Sequence, residues 1–259
     1  MTDKTRTQKK NAPLGKTATK AMEKTKPAAQ ARTSRRVTAR LPAGERRAQI
    51  LQQAFEFFSD HGLTAQTRAL AEACGVSQRL LYSLFPNKSS LIQAVYDAEI
   101  AGPFKAVWFI QLRDRAMPIH DRLVNFYCDY YDTILTRRWL RLFIYSSLAD
   151  AEMAPAYISG VVRNLLEAVV QEAVLAEGLR PPENPDLMQE LGWVLHGNVS
   201  HLGIRRHIYG NASAVPVRKA IAMHVTAFLA ALPELCAENL GGQESSRAPP
   251  MSAAGRKRP

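Results

Sequence analysis

Between Arg47 and Tyr96 three short helical patterns succeed one another, the second and third joined by the tight turn Gly75-Val76-Ser77. Ile50, Leu51, Ala54, Phe57 and Phe58 recur at the three-and-four spacing of one helix face. Asp60-His61-Gly62 supplies a stop whose glycine can take the left-handed C-cap conformation, so the first helix ends near His61. A second helix runs from about Thr67 through Arg68, Leu70, Ala71 and Ala73 until Gly75 lets the chain reverse. Ser77 offers an oxygen to a free backbone N–H of the next turn, which is what an N-cap requires, so a third helix spans Gln78 to Phe85. Its inner face is Leu81 and Phe85, with Val76 packing just ahead of it. That leaves Gln78, Arg79, Leu80, Tyr82 and Ser83 on outward or flanking positions, where such side chains suit groove edges and phosphates. The layout reads as a DNA-binding helix-turn-helix.

Charge points the same way and is lopsided. Residues 1–47 hold fourteen Lys and Arg against Asp3, Glu23 and Glu45, and the other 20 basic residues are matched by 20 acidic ones, so the whole net charge of +11 sits in this arm. The arm is rich in Thr, Ala, Pro and Lys and has almost no large apolar residue before Val37. It cannot bury enough surface to offset its ordering entropy, and disorder is expected over 1–44. A cationic arm beside a DNA reader points to phosphate binding. The helix-turn-helix itself, from Ala48 to Asp97, has only Arg68, Arg79 and Lys88 against four carboxylates.

The remaining composition narrows the class. There is no uninterrupted apolar run of the roughly 18–20 residues a membrane span needs and no signal-peptide core near Met1, so no membrane partner is expected and the location is read as cytoplasmic, associated with the nucleoid. Cys74, Cys128 and Cys236 are odd in number and far apart, in neither disulfide nor zinc-ligand spacing. Cys74 reads as a small core residue. No paired carboxylates, phosphate-cradling glycine loop or Ser-His-Asp context is found, so no catalytic residue, metal or cofactor is assigned and the chain is read as a non-enzyme.

Beyond Asp97 the pattern stays helical. A fourth helix starts near Lys88, after Pro86-Asn87, and runs toward Glu99 until Gly102-Pro103 interrupts it. Long helices are predicted at roughly 118–136, 138–150, 155–177, 186–208 and 216–232. Leu123, Phe126, Tyr127, Tyr130 and Ile134 form one apolar stripe, and Trp139, Leu142, Phe143 and Leu148 another. Ile158, Val161, Val162, Leu165, Leu166, Val169 and Val170 make a stripe broad enough for a central helix. The last two helices carry Leu187, Leu191, Val194, Leu195, Leu202, Ile221, Val225, Phe228 and Leu229, more apolar surface than a monomer's final pair should need. His196, His201 and His207 are spaced by five and six residues and do not share one face, which argues against a metal site.

The chain resembles the TetR family of bacterial transcriptional regulators at Arg47, Ile50-Leu51, Ala54, Phe58, Gly62, Leu70-Ala71-Glu72, Gly75-Val76-Ser77, Leu81-Tyr82, Phe85, Lys88, Leu91 and Val95. It is similar to a branch in which Thr64-Ala65-Gln66-Thr67-Arg68 replaces a helix-2 entry one residue longer, and Trp139-Leu140-Arg141 and His196-Gly197 fit that branch. Leu84 stands where His or Tyr often contacts the backbone.

The resemblance implies an all-α fold, with an N-terminal three-helix helix-turn-helix DNA-binding domain and a C-terminal helical ligand-binding and dimerisation domain. The expected divisions are a disordered basic arm at 1–44, the reader at 45–97, the helical domain at 98–236 and a flexible tail at 237–259. The implied DNA-binding residues are Arg47, Thr67, Arg68, Ser77, Gln78, Arg79, Leu80, Tyr82, Ser83 and Lys88, with Gln78 and Arg79 at base edges, Leu80 at a thymine methyl, and Lys88 holding a phosphate at a helix N-terminus. A pocket for a small apolar ligand would be lined by Trp108, Phe126, Tyr130, Trp139, Phe143 and Trp193, with His196 or Asn198 as polar contacts. Leu191, Val194, Leu195, Leu202, Val225, Phe228 and Leu229 would form the homodimer interface. The function implied is a ligand-released repressor acting as a homodimer on a near-palindromic double-stranded DNA operator. The alternative is an architectural, nucleoid-type binder driven by the basic arm without a ligand.

Overall fold

The structure, a computed structural model, describes residues 42–149 and 153–241. The basic arm before Pro42 and the tail beyond Gly241 lie outside the described residues.

The described chain is helical and has no strand. In the first three elements, α1 (Ala43–His61), α2 (Thr67–Ala73) and α3 (Gln78–Leu84), the ends fall where the local chemistry puts them. Gly62 sits at φ 77 and returns its N–H to the Phe58 carbonyl, a backbone shape that strains any residue with a Cβ. Gly75, at φ 64, makes the reversal between α2 and α3. The Ser77 side chain accepts a hydrogen bond from Leu80 N at 3.2 Å and starts α3. Ile50, Leu51, Ala54, Phe58, Leu70, Ala71, Leu81 and Phe85 close over one another as the core of this unit.

Helix α4 (Lys88–Val95) opens on a reciprocal cap, Asn87 Oδ1 receiving Ser90 N and Ser90 Oγ receiving Asn87 N. It runs on into a π-helical turn, Tyr96–Ala101. A short α5 (Val107–Leu112) comes after it, then α6 (Ile119–Thr133) and α7 (Arg137–Leu148). A continuous rod is next: α8 (Met153–Tyr157), a second π-helical turn at Ile158–Val162, and α9 (Arg163–Ala176). The chain closes with α10 (Pro185–His207) and α11 (Val217–Gly241).

Helix α9 is central, as its broad stripe implies: Leu165, Leu166, Val169, Val170, Ala173 and Val174 are all buried. Helix α10 lies against it so closely at Gly192 that a Cβ there would come within 2.6 Å of Leu166 Cβ. Gly197, the glycine the sequence draws attention to, faces open space instead.

Four elements depart from expectation. Helix α5 is too short to carry a periodic pattern between Gly102-Pro103 and Pro118. Each π-helical turn inserts one extra residue and so breaks a 3.6-residue reading. Helix α11 passes through Pro233 and reaches Gly241, so residues 237–241, expected in the tail, are helical; a proline inside a helix costs one backbone hydrogen bond without necessarily ending it.

The residues expected at the dimer surface divide by burial. Leu191, Leu195, Leu202, Val225 and Phe228 are buried within the chain itself, because α10 packs on α9 and α11 on α6. Of the expected set Val194 is exposed and Leu229 half-buried.

Candidate functional site

The outer face of α3 presents Gln78, Arg79, Leu80, Tyr82 and Ser83 to solvent, while Leu81 and Phe85 hold the helix to the core. Leu80 and Tyr82 are 37% and 42% exposed, so both side chains are within reach of a partner laid against this face. Among the described residues Arg68 and Arg79 have no ion-pair or hydrogen-bond partner, which leaves both guanidinium groups free for an external anion or base edge. Thr67 is half-buried at the start of α2. Four of the residues expected at DNA already hold structural contacts, Ser83 Oγ among them through its bond to the Leu80 carbonyl at 2.7 Å. The Ser77 oxygen caps α3, the Arg47 guanidinium lies 5.0 Å from the centre of the Phe85 ring, and Lys88 Nζ donates to the Ala65 carbonyl at 2.7 Å. Lys88 thus pins the loop ahead of α2 to the start of α4, with two of its three N–H donors still unassigned.

The second feature is a cavity of about 260 Å³ enclosed by α6, α7, the α8–α9 rod and α10. Tyr130, Trp139, Phe143, Trp193 and His196 line it. Trp139 and Phe143 stack at 4.7 Å with ring planes 13° apart, and Tyr157 stands edge-on to both. Trp108 and Phe126 do not reach this cavity. They lie in an aromatic cluster behind Tyr130, with the Trp108 Nε1–H bonded to Asp129 at 2.7 Å. Asn198 points away, exposed and bonded to the Val194 carbonyl.

His196 is the polar centre of the cavity wall. It is 3% exposed, its ring lies 5.3 Å from Tyr130 and 5.4 Å from Trp193, and its Nδ1 has no hydrogen-bond partner. Burial drives its pKa down to about 4, so the ring is neutral near pH 7. The Tyr157 hydroxyl is buried as well; it lies near the Tyr130 hydroxyl without forming a hydrogen bond of good geometry, and burial pushes its pKa up to about 12.

Helix α7 joins the two features. One face supplies Trp139, Leu140, Phe143 and Ile144 to the cavity. The other grips the end of α1: Arg141 Nε donates to the Ser59 carbonyl at 2.6 Å and Nη2 to the Asp60 carbonyl at 3.2 Å. Arg138 pairs with Glu56 at 2.8 Å, and Ser59 Oγ donates to the Arg138 carbonyl at 3.1 Å. Trp139 itself donates Nε1–H to the Ile100 carbonyl, in the π-helical turn that extends α4, at 3.3 Å. Of these side chains only Trp139 and Arg141 fall in segments that the sequence singles out. The contacts to Glu56 and to the Asp60 carbonyl leave no periodic trace, since their partners lie some eighty residues away.

A third polar feature carries no sequence signal either. Glu172 on α9, 5% exposed, receives Arg115 Nη2 and Arg122 Nη1, each at 2.9 Å, and Arg122 also donates to the Leu112 carbonyl. The Arg115 guanidinium first, and Arg122 with it, hold this carboxyl below the usual carboxylate range. No group of three or more potential metal ligands is found among the described residues. The Cys74 thiol is buried beside the Ile50 carbonyl and pushed up to about 11, so it is a poor nucleophile at neutral pH.

A three-helix unit whose third helix is exposed on its outer face, joined to a helical body with a cavity, has the layout of a helix-turn-helix DNA reader. Residues 50–95 match the family of bacterial regulatory proteins, tetR family. The fold is shared with a TetR-like transcriptional regulator from Rhodococcus sp. RHA1, at TM-score 0.55 and 18% identity over 78% of this chain and 100% of that one. It is shared also with a tetR-family transcriptional regulator from Streptomyces coelicolor, at TM-score 0.52 and 17% identity over 78% and 90% of the two chains. No curated protein sequence matches. Residues 50–95 thus carry the DNA-binding segment of the tetR family, and the described chain shares the fold of these regulators.

Proposed function

We propose that the protein is a ligand-released repressor: a homodimer whose two α3 helices read a near-palindromic operator and whose cavity, when filled, lowers operator affinity. The observation that carries this reading is α7, a single twelve-residue helix with the cavity on one side and the end of α1 on the other. A ligand shifts such an equilibrium only by its differential affinity for the two states, and α7 is where a filled cavity and a reading head can differ. On this reading Gln78 and Arg79 meet base edges, Leu80 a thymine methyl, and Thr67, Arg68, Tyr82 and Lys88 phosphates.

Dimerisation rests on α10 and α11. Residues Val217–Ala237 of α11 average a hydropathy of 1.6, long and apolar enough by length and composition to cross a membrane, yet only 33% of that stretch is buried. In a chain with a DNA-reading unit, a second copy is the partner that covers such a face. Met223, 61% exposed, with Ala227 and Ala230 on α11, and Val194, 39% exposed, with His201 on α10, replace the buried leucines as the interface. A two-fold axis through them spaces the half-sites by whole DNA turns, roughly 34–36 Å each. Such a protein acts in the cytoplasm on the nucleoid.

The test is binding of the purified chain to its own upstream DNA against random DNA of equal length, at near-physiological salt. Preference of about a thousandfold or more supports a sequence-specific regulator. Equal binding overturns that reading in favour of an architectural binder.

A further inference from the structure

The polarity of the cavity wall is divided between two helices. Helix α10 contributes Trp193, His196, Ser200 and Ile204, spaced three, four and four, so three polar heads share one helix face. The opposite wall is the Trp139–Phe143 stack with Leu140, Ile144 and, from the π-helical turn, Ile158 and Val162. None of the lining residues is Lys, Arg, Asp or Glu. The mouth is marked by Ser147 and Leu148, both exposed.

Two buried groups on or beside the polar wall lack a well-formed hydrogen bond within the protein, His196 Nδ1 and the Tyr157 hydroxyl, and the half-buried Ser200 lines the cavity next to them. Buried polar groups left in this way are costly, and a bound polar atom is one means of satisfying them. No fixed charge is at hand to pair with an ionised ligand, whose desolvation would go uncompensated. The flat stacked pair opposite favours a planar body. The volume is just below the range of roughly 300–1,000 Å³ usual for drug-sized ligands, so the body is small.

We infer that this cavity takes an uncharged, planar, largely apolar molecule of roughly one to three fused rings, carrying a hydroxyl or carbonyl oxygen that is read by His196, Tyr157 and Ser200. The inference rests on the reading of the cavity as the effector site and adds the class of effector. Phenolic or ketonic aromatic compounds belong to it; carboxylates, quaternary amines and phosphates do not.

Three probes of matched shape decide the matter on the full chain by titration calorimetry at pH 7.5: 2-naphthol, 2-methylnaphthalene and 2-naphthoate. 2-Naphthol binds tightest. 2-Methylnaphthalene, which lacks the oxygen, binds about 5- to 10-fold more weakly, the value of one hydrogen bond. 2-Naphthoate binds about 100-fold more weakly or not at all, because its charge has no partner. Tyr157→Phe and His196→Leu each bring 2-naphthol toward the affinity of 2-methylnaphthalene while leaving the latter unchanged, which separates a lost hydrogen bond from a collapsed cavity. Tight binding of 2-naphthoate, or equal binding of all three probes, overturns the effector class while the cavity remains a ligand site. Binding of none of them overturns the effector-site reading and this inference together.

Discussion

A fully buried, neutral histidine makes the stability of this protein depend on pH in a window that can be worked out. The ordinary histidine value is 6.5 and burial takes His196 to about 4 in the folded state. Between those values the unfolded chain binds a proton that the folded chain refuses, so stability falls as pH falls from 6.5 toward 4 and is unaffected by this group above 6.5. Each unit of difference is worth about 1.36 kcal/mol, so the full loss below pH 4 is about 3 kcal/mol, and about 2 kcal/mol of it is already present at pH 5. The assay is urea unfolding of the full chain at pH 7.2 and pH 5.0, at one fixed protein concentration, in the wild type and in His196→Leu. His207 and His224, also lowered by burial and neighbouring arginines, are common to both proteins and cancel in the comparison. Glu172, held below the usual carboxylate range, loses its contribution only at lower pH. The wild type should lose about 2 kcal/mol more than the variant between the two pH values. Parallel losses in the two proteins would show that the His196 ring meets water or a partner in solution, and the argument from an unsatisfied Nδ1 would fail with it.

Arg79→Ala should weaken binding at the cognate operator by about 1–3 kcal/mol and leave random DNA nearly unaffected, in a gel-shift or anisotropy comparison; an equal loss at all sequences reassigns the side chain to phosphate. Met223→Glu, placed on the exposed face of α11, should shift the chain toward monomer in sedimentation without lowering its helicity, whereas unchanged association moves the interface elsewhere. Glu172→Ala leaves Arg122 buried without its carboxylate and should cost about 3–5 kcal/mol in urea unfolding. Arg141→Ala should leave 2-naphthol affinity unchanged but reduce the change in operator affinity that 2-naphthol causes; a full response without this side chain would show that the signal bypasses it.

The reading unit is legible in the sequence because its signals are local. Periodicity sets the inner faces of α1 and α3, Gly62 and Gly75 sit where a left-handed backbone is needed, and Ser77 caps the helix it precedes. The helical body is legible in its helices and much less so in its surfaces. Leu191 and Phe228 read as surplus apolar surface because a sequence does not say which side of a long helix its own chain will cover. The same limit hides Gly192, whose value lies in Leu166 pressing against it from another helix, behind the equally visible Gly197. The cavity stands between these cases. Trp139 and Phe143 are four residues apart and form a stack, but only the fold separates them from Trp108 and Phe126, which are equally aromatic and lie behind Tyr130. Buried charge is least legible, since nothing local distinguishes Glu172 from a solvated glutamate.

On the proposed reading, communication between cavity and reader turns on how strongly α7 grips α1. The contacts between them are individually modest: Arg138–Glu56 is a partly exposed pair of the kind worth at most about 1 kcal/mol, and a backbone hydrogen bond from Arg141 adds about as much. Their sum is therefore of the same order as the 1–3 kcal/mol typical of allosteric coupling. A grip much stronger than this would hold α1 in one position whatever the cavity contained, and a much weaker one would let α7 move without the reader responding. Trp139 bears on both sides of that balance, because its ring lines the cavity while its N–H holds a carbonyl in the π-helical turn that extends α4. A π-helical turn carries one residue more than an α-helical turn, and reverting to α geometry would shift the register of the residues beyond it without unfolding the helix. A planar ligand that displaces the Trp139 ring would disturb that bond and the Arg141 grip together. Helix α7 would then act on the reader through both α1 and α4, so removing Arg141 alone should diminish the response rather than abolish it.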